Sequence, residues 1–209
     1  MGSGEKENSS TTTSWEAAIQ GKSRREIASI HEARAEAEWE RGLFDNAQAG
    51  QRSKHSHRLA IALEIWTEYE EPSLVARVWC LKGICSGESK NFKKAKDFFE
   101  QSEKLAEQAE DMSLALCALA NRAICEAQIG ECRAATTRAR RVFEKAEAED
   151  NVELALSAHI IRAFSDQLEG NFSSASREYD QANKFTTEPE LAQLTPSLRV
   201  AMDTNSGIW

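Results

Sequence analysis

The sequence predicts an all-α fold, a solenoid of about four helix-turn-helix units, and three observations predict it. Nearly the same segment is written three times at one interval: "KNFKKAKDFFE" from Lys90, "GECRAATTRAR" from Gly130 and "GNFSSASREYD" from Gly170. Apolar residues recur three and four apart, as in Leu59, Ala62, Leu63, Trp66 and Tyr69, and again in Ala95, Phe98, Phe99, Ser102 and Leu105, which is the rhythm of one helix face. The chain has three prolines, Pro72, Pro189 and Pro196, so residues 23–185 are interrupted by one proline. A sequence self-similar at a period of twenty to fifty residues builds stacked units, none of which can bury its apolar face alone.

The elements follow in chain order. Residues 1–22 read as a flexible N-terminal segment, polar throughout "MGSGEKENSSTTTSW". The repeat domain covers 23–203 and opens at Ser23, where Glu26 three residues later completes a capping pattern. Units of about forty residues lie near 32–71, 72–111, 112–151 and 152–191, each with an inner helix A and an outer helix B. Turn signals separate them at "EEPS", "SKN", "AED", "IGE", "EDN" and "EGN". The segment "EPELAQLTPSLRVAMD" carries Pro196 at a helical position and suits a C-terminal capping helix. Residues 204–209 form a tail ending in Trp209.

Laid on a period of forty, the chain shows columns. Phe44, Ile84, Ile124 and Phe164 are all large and apolar; Ala35, Val75, Ala115 and Ala155 are small or β-branched; Trp39, Trp79, Leu119 and His159 form a third column. In helix B, Ala95, Ala135 and Ala175 coincide, with His55 standing apart in the first unit, and small residues there let paired helices approach closely. Gly50, Gly130 and Gly170 supply turns with a residue free to adopt positive φ.

These residues resemble the tetratricopeptide-repeat superfamily, in its longer-helix form. Gly170, Asn171, Phe172 and Ala175 match the family's turn and helix-B start, as do Asn91, Phe92 and Ala95; Gly130 and Ala135 match with Cys132 at the aromatic position. The resemblance covers roughly residues 32–191. It implies a right-handed superhelix whose A helices line a concave groove that binds an extended peptide. Ser86, Glu126 and Asp166 stand where the family usually has an aromatic. Some members clamp an acidic C-terminus with residues on successive A helices. Asn121 fits that pattern and Arg162 nearly does, while Cys80 and Ile84 stand in place of its leading Lys and Asn, so the full clamp is not expected.

Composition excludes several classes of function. A formal net charge of −8 argues against nucleic-acid binding, and no apolar run approaches the roughly 20 residues that span a bilayer. The polar start lacks a signal-peptide core, so the expected compartment is the cytoplasm. The five cysteines, Cys80, Cys85, Cys117, Cys125 and Cys132, form no CxxC and read as reduced thiols, with Cys85 and Cys125 expected near one another on neighbouring A helices. No metal or cofactor site is expected, and no nucleophile stands beside a base.

The candidate partner-binding residues are Lys82, Asn121, Arg122, Arg162, Trp39 and Trp79. Lys82, Arg122 and Arg162 recur at the period, with Ser86, Glu126 and Asp166 four residues on, so two of the cations can pair internally. They read either as an ionic ladder or as a cationic strip for a partner's carboxylates. Trp39 and Trp79 read either as inter-repeat core or as a flat anchor site. Arg133, Arg138, Arg140 and Arg141 place a basic patch on one B helix, expected on the convex side. The function these readings support is a protein-interaction module or adaptor. A small-molecule-binding or catalytic solenoid lined by A-helix residues is the alternative, and a self-associating scaffold a third reading.

Overall fold

The computed structural model describes residues 20–45, 49–148 and 150–186, with side chains described outside 36–56, 153 and 185. The described residues hold eight α-helices and no strand: α1 (Arg24–Asp45), α2 (Ala49–Glu68), α3 (Pro72–Glu88), α4 (Phe92–Gln108), α5 (Met112–Gln128), α6 (Cys132–Ala148), α7 (Val152–Leu168) and α8 (Phe172–Thr186). Consecutive helices pack against each other in chain order. The odd-numbered A helices also meet in succession, α1 with α3, α3 with α5 and α5 with α7. This arrangement is consistent with a helical solenoid. The expected C-terminal cap, Trp209 and the side chain of Trp39 lie outside what is described.

Ser23 caps α1 as its spacing predicts: its N–H donates to Glu26 Oε2 at 2.9 Å, and the Glu26 N–H donates to Ser23 Oγ at 3.3 Å. From α3 to α7 every helix has 17 residues. The turns between them are one motif used repeatedly. A left-handed residue stands at Glu70, Lys90, Glu110, Gly130, Asp150 and Gly170. The next N–H reaches five residues back, from Glu71 to Trp66, Asn91 to Ser86, Asp111 to Ala106, Glu131 to Glu126, Asn151 to Ala146 and Asn171 to Asp166. That bond satisfies a helix-terminal carbonyl which would otherwise be orphaned. The turn therefore repeats every twenty residues, within pairs and between them, and not at the forty-residue spacing of glycines. Gly50 falls inside α2. Four of the six left-handed positions are not glycine, each at a cost of roughly 1–2 kcal/mol that the bond and the packing on either side offset. Side chains of Asn91, Asp111 and Asn151 then cap the helix that follows, accepting from Lys94, Leu114 and Leu154.

The columns bury as a repeat requires. Ala95, Ala135 and Ala175 are all buried, as are Ala35, Val75, Ala115 and Ala155. Ile124 and Phe164 pack on the cluster of Leu116, Leu119, Ala139, Val142 and Ile161. At Gly83, where later units have Ala123 and Ala163, a Cβ would lie 2.6 Å from the Phe99 ring. The missing methyl is the space in which that phenyl ring sits.

One core residue makes stability depend on pH. His31 on α1 is buried, and desolvation, followed by the charges of Arg58, His57 and Arg34, holds its pKa below the ordinary 6.5. The unfolded chain takes up the proton first, so this contribution is complete above about pH 6.5 and is lost as pH falls below it. The melting temperature is expected to drop as pH falls below about 6.5, and His31→Gln is expected to flatten that slope. An unchanged slope in the variant would assign it to other groups.

Candidate functional site

The periodic cations do not share one fate. All three turn toward B helices. Arg122 on α5 is enclosed by carboxylates: Glu103 at 3.1 Å and Glu100 at 3.2 Å, both on α4, and Glu126 on its own helix at 3.4 Å. Glu126, only 2% exposed, also takes Arg138 Nε of α6 at 2.8 Å to both oxygens. One network thus ties α4, α5 and α6. The internal pair expected between Arg122 and Glu126 is present. Arg162 departs from expectation: it meets Glu178 on α8 at 2.6 Å instead of Asp166, because the B helix presents a carboxylate directly beneath it. His159 Nδ1 shares that carboxylate at 2.8 Å, with Phe143 edge-on at 5.0 Å.

Lys82 is different. Its ammonium lies 4.1 Å from the centre of the Trp79 ring and 5.1 Å from that of Phe98, and Lys94 Nζ lies 5.5 Å over Phe98. Trp79 and Phe98 are themselves 5.3 Å apart and tilted by 40°. The ring faces attract the cations. Partial burial, with repulsion from Lys94 second, lowers the Lys82 pKa. Among the described residues no carboxylate lies within ion-pair distance of either lysine, whereas Arg122 and Arg162 are both neutralised. Helix α3 supplies Trp79 and Lys82 one turn apart, and α4 supplies Lys94 and Phe98 one turn apart, so two i to i+3 or i+4 pairs meet across one seam. Phe98 and Lys94 were not singled out in the sequence; the signal was their helical spacing on the strand of charge "KKAKDFF".

The remaining candidates fall elsewhere. The Asn121 amide turns back on its own helix, donating to the Cys117 carbonyl at 2.9 Å and to Cys117 Sγ at 3.6 Å. Of the arginines on α6, Arg138 points inward to Glu126, while Arg133, Arg140 and Arg141 are exposed. The thiols differ from expectation as well. Cys85 packs with the cluster around Trp66 and Val78, and Cys125 with that around Phe99, and burial pushes each to about 12. The thiols in contact are Cys80 and Cys117.

A cavity of about 260 Å³ opens where α4, α5 and α6 meet. Met112, Ala115, Leu116 and Leu119 form its apolar floor, and Arg141 stands at its mouth, 3.9 Å from Glu103 and 4.0 Å from Glu107. No described helix is long and apolar enough to cross a membrane. Compared with known proteins, the chain matches no family model, no curated protein and no solved structure.

Proposed function

We propose that the chain is a protein-interaction module, a right-handed, tetratricopeptide-like solenoid that holds an extended acidic segment of a partner protein, with Lys82 and Lys94 as the anchoring cations. The observation that carries this reading is the contrast within the charged column: Arg122 and Arg162 meet carboxylates of their own chain, and Lys82 meets none among the described residues. A cation held over two aromatic faces and partly withdrawn from water gains more from a partner carboxylate than a solvated lysine does. Trp79 and Phe98 add a flat apolar contact beside it, the composition of a binding hot spot.

The test is a peptide array in which Glu and Asp are compared with Gln and Asn at the same places, followed by titration of the best binders. Acidic peptides are expected to bind more tightly, and to weaken as salt is added. Lys82→Ala with Lys94→Ala is expected to cost about 1.5–3 kcal/mol per lost charge-assisted bond, with helicity unchanged. Equal binding by the double variant, or indifference to peptide charge, would remove this reading. One observation favours a second: the apolar cavity floored by α5 residues, which fits a small apolar ligand whose binding survives high salt.

A further inference from the structure

Cys80 and Cys117 are not equivalent in the repeat, yet the fold brings them together. Cys80 sits on α3 and is 5% exposed; Cys117 sits on α5 and is partly buried. Cys80 belongs to the cluster of Ala95, Phe99 and Cys125, Cys117 packs against that cluster, and the two thiols interact there. Helices α3 and α5, which carry them, pack against each other. Cys117 lies on the partly buried strip of α5 formed by Leu114, Cys117, Asn121 and Ile124, and is the less enclosed residue of the two. The Asn121 amide points an N–H at Cys117 Sγ from 3.6 Å, toward the atom that must carry negative charge when it attacks.

The geometry points to Cys80 and Cys117 as a hydroperoxide-oxidised pair, in which Cys117 reacts first and Cys80 resolves it as a disulfide stapling α3 to α5. The Cys117 thiolate attacks one peroxide oxygen, the O–O bond breaks, and the departing hydroxide leaves as water with the proton that the thiol gave up. Cys117 is then a sulfenic acid. The Cys80 sulfur attacks the Cys117 sulfur, the S–O bond breaks, and the hydroxide leaves as a second water with the Cys80 proton. Two thiols have lost two electrons and two protons, and one hydrogen peroxide has become two waters. The Cys117 sulfur beside it, and then burial, hold the proton on Cys80 until that second step. Cys85 and Cys125, each pushed to about 12, have little thiolate to compete. The staple crosses between successive helix pairs, one residue from Trp79, and its formation does not depend on the partner proposed above.

The test uses the full chain and hydrogen peroxide. Free thiols are counted by maleimide labelling after denaturation, and digests are mapped by mass spectrometry. The expected result is the loss of two of the five thiols, a Cys80–Cys117 cross-linked peptide, and recovery of both thiols with dithiothreitol. Cys80→Ser should stop at a sulfenic acid on Cys117 that dimedone captures, and Cys117→Ser should leave Cys80 unmodified. Should either variant fail to fold, the map of the unmodified chain still decides. No thiol lost, a cross-link from Cys80 to Cys125 instead, or over-oxidation of Cys117 without a disulfide would each overturn the proposal.

Discussion

Glu126→Ala is expected to lower the unfolding free energy by about 3–5 kcal/mol, among the largest effects a single substitution can have in this chain. Glu126 is 2% exposed, and its carboxylate takes both contacts from Arg138 Nε at 2.8 Å. It also lies 3.4 Å from Arg122, whose guanidinium is 14% exposed. That last approach is an ion pair without hydrogen-bond alignment, since Arg122 Nε has no hydrogen-bond partner, so most of the loss comes from Arg138 and from the charge balance around Arg122. Truncation leaves Arg122 facing Glu100 and Glu103 alone and takes from Arg138 the carboxylate it meets, at a junction of three helices. Arg138 is 23% exposed and can turn toward water, which holds the cost below that of a fully enclosed charge. The double variant Glu126→Leu with Arg138→Leu is expected to recover much of the loss, because an apolar pair of similar volume replaces a desolvated one. Urea denaturation measures both. A loss under about 1 kcal/mol for Glu126→Ala would show that the network is a solvated ladder.

Trp66→Ala is expected to cost about 3–5 kcal/mol. The indole is 2% exposed and packs among Leu59, Ala62, Ile65 and Val78, where α1, α2 and α3 meet. Its Nε1–H donates to Glu32 Oε2 at 3.2 Å, and Glu32, 1% exposed, also accepts from Arg77. The substitution therefore opens a void and removes a donor from a buried carboxylate. Trp66→Phe separates these losses: it keeps most of the ring and deletes the donor, for an expected cost of roughly 1–3 kcal/mol from the unsatisfied acceptor. Phe172→Ala is the reference, because Phe172 is 66% exposed and its truncation is expected within about 0.5 kcal/mol of zero. Were Trp66→Ala and Phe172→Ala to melt alike, the first helix pair would contribute little to the cooperative unit.

Much of this fold was legible before any tertiary contact. Ser23 with Glu26, the proline at Pro72, and Asn or Asp before α4, α5 and α7 are local signals whose chemistry lies within one turn of chain. The buried alanines at 95, 135 and 175 were legible for a related reason: a repeat presents the same neighbour at every pass, so one column reports one packing environment. The turns at "EEPS", "SKN", "AED", "IGE", "EDN" and "EGN" were legible too, but their common left-handed geometry was not, because glycine was taken as its marker. Glu70, Lys90, Glu110 and Asp150 adopt the same left-handed geometry, held by a backbone bond that no side chain announces.

The candidate site was legible only in part. That Lys82, Arg122 and Arg162 occupy one place in the repeat follows from spacing, and the amino-acid sequence determined it, as it determined the helices, their ends and the faces they bury. Which of those cations has a partner was decided by the neighbouring helices. Arg122 finds Glu100 and Glu103, Arg162 finds Glu178, and Lys82 finds the rings of Trp79 and Phe98. Cys80 and Cys117 meet although they fall out of register with the repeat, and Gly83 is small because Phe99 of another helix fills its space. The physical reason is one of range. Periodicity and capping arise from bonds spanning three to five residues, so sequence order encodes them directly; ion pairs, ring contacts and thiol contacts between helices depend on side-chain length, direction and axial offset, which exist only once the helices have packed.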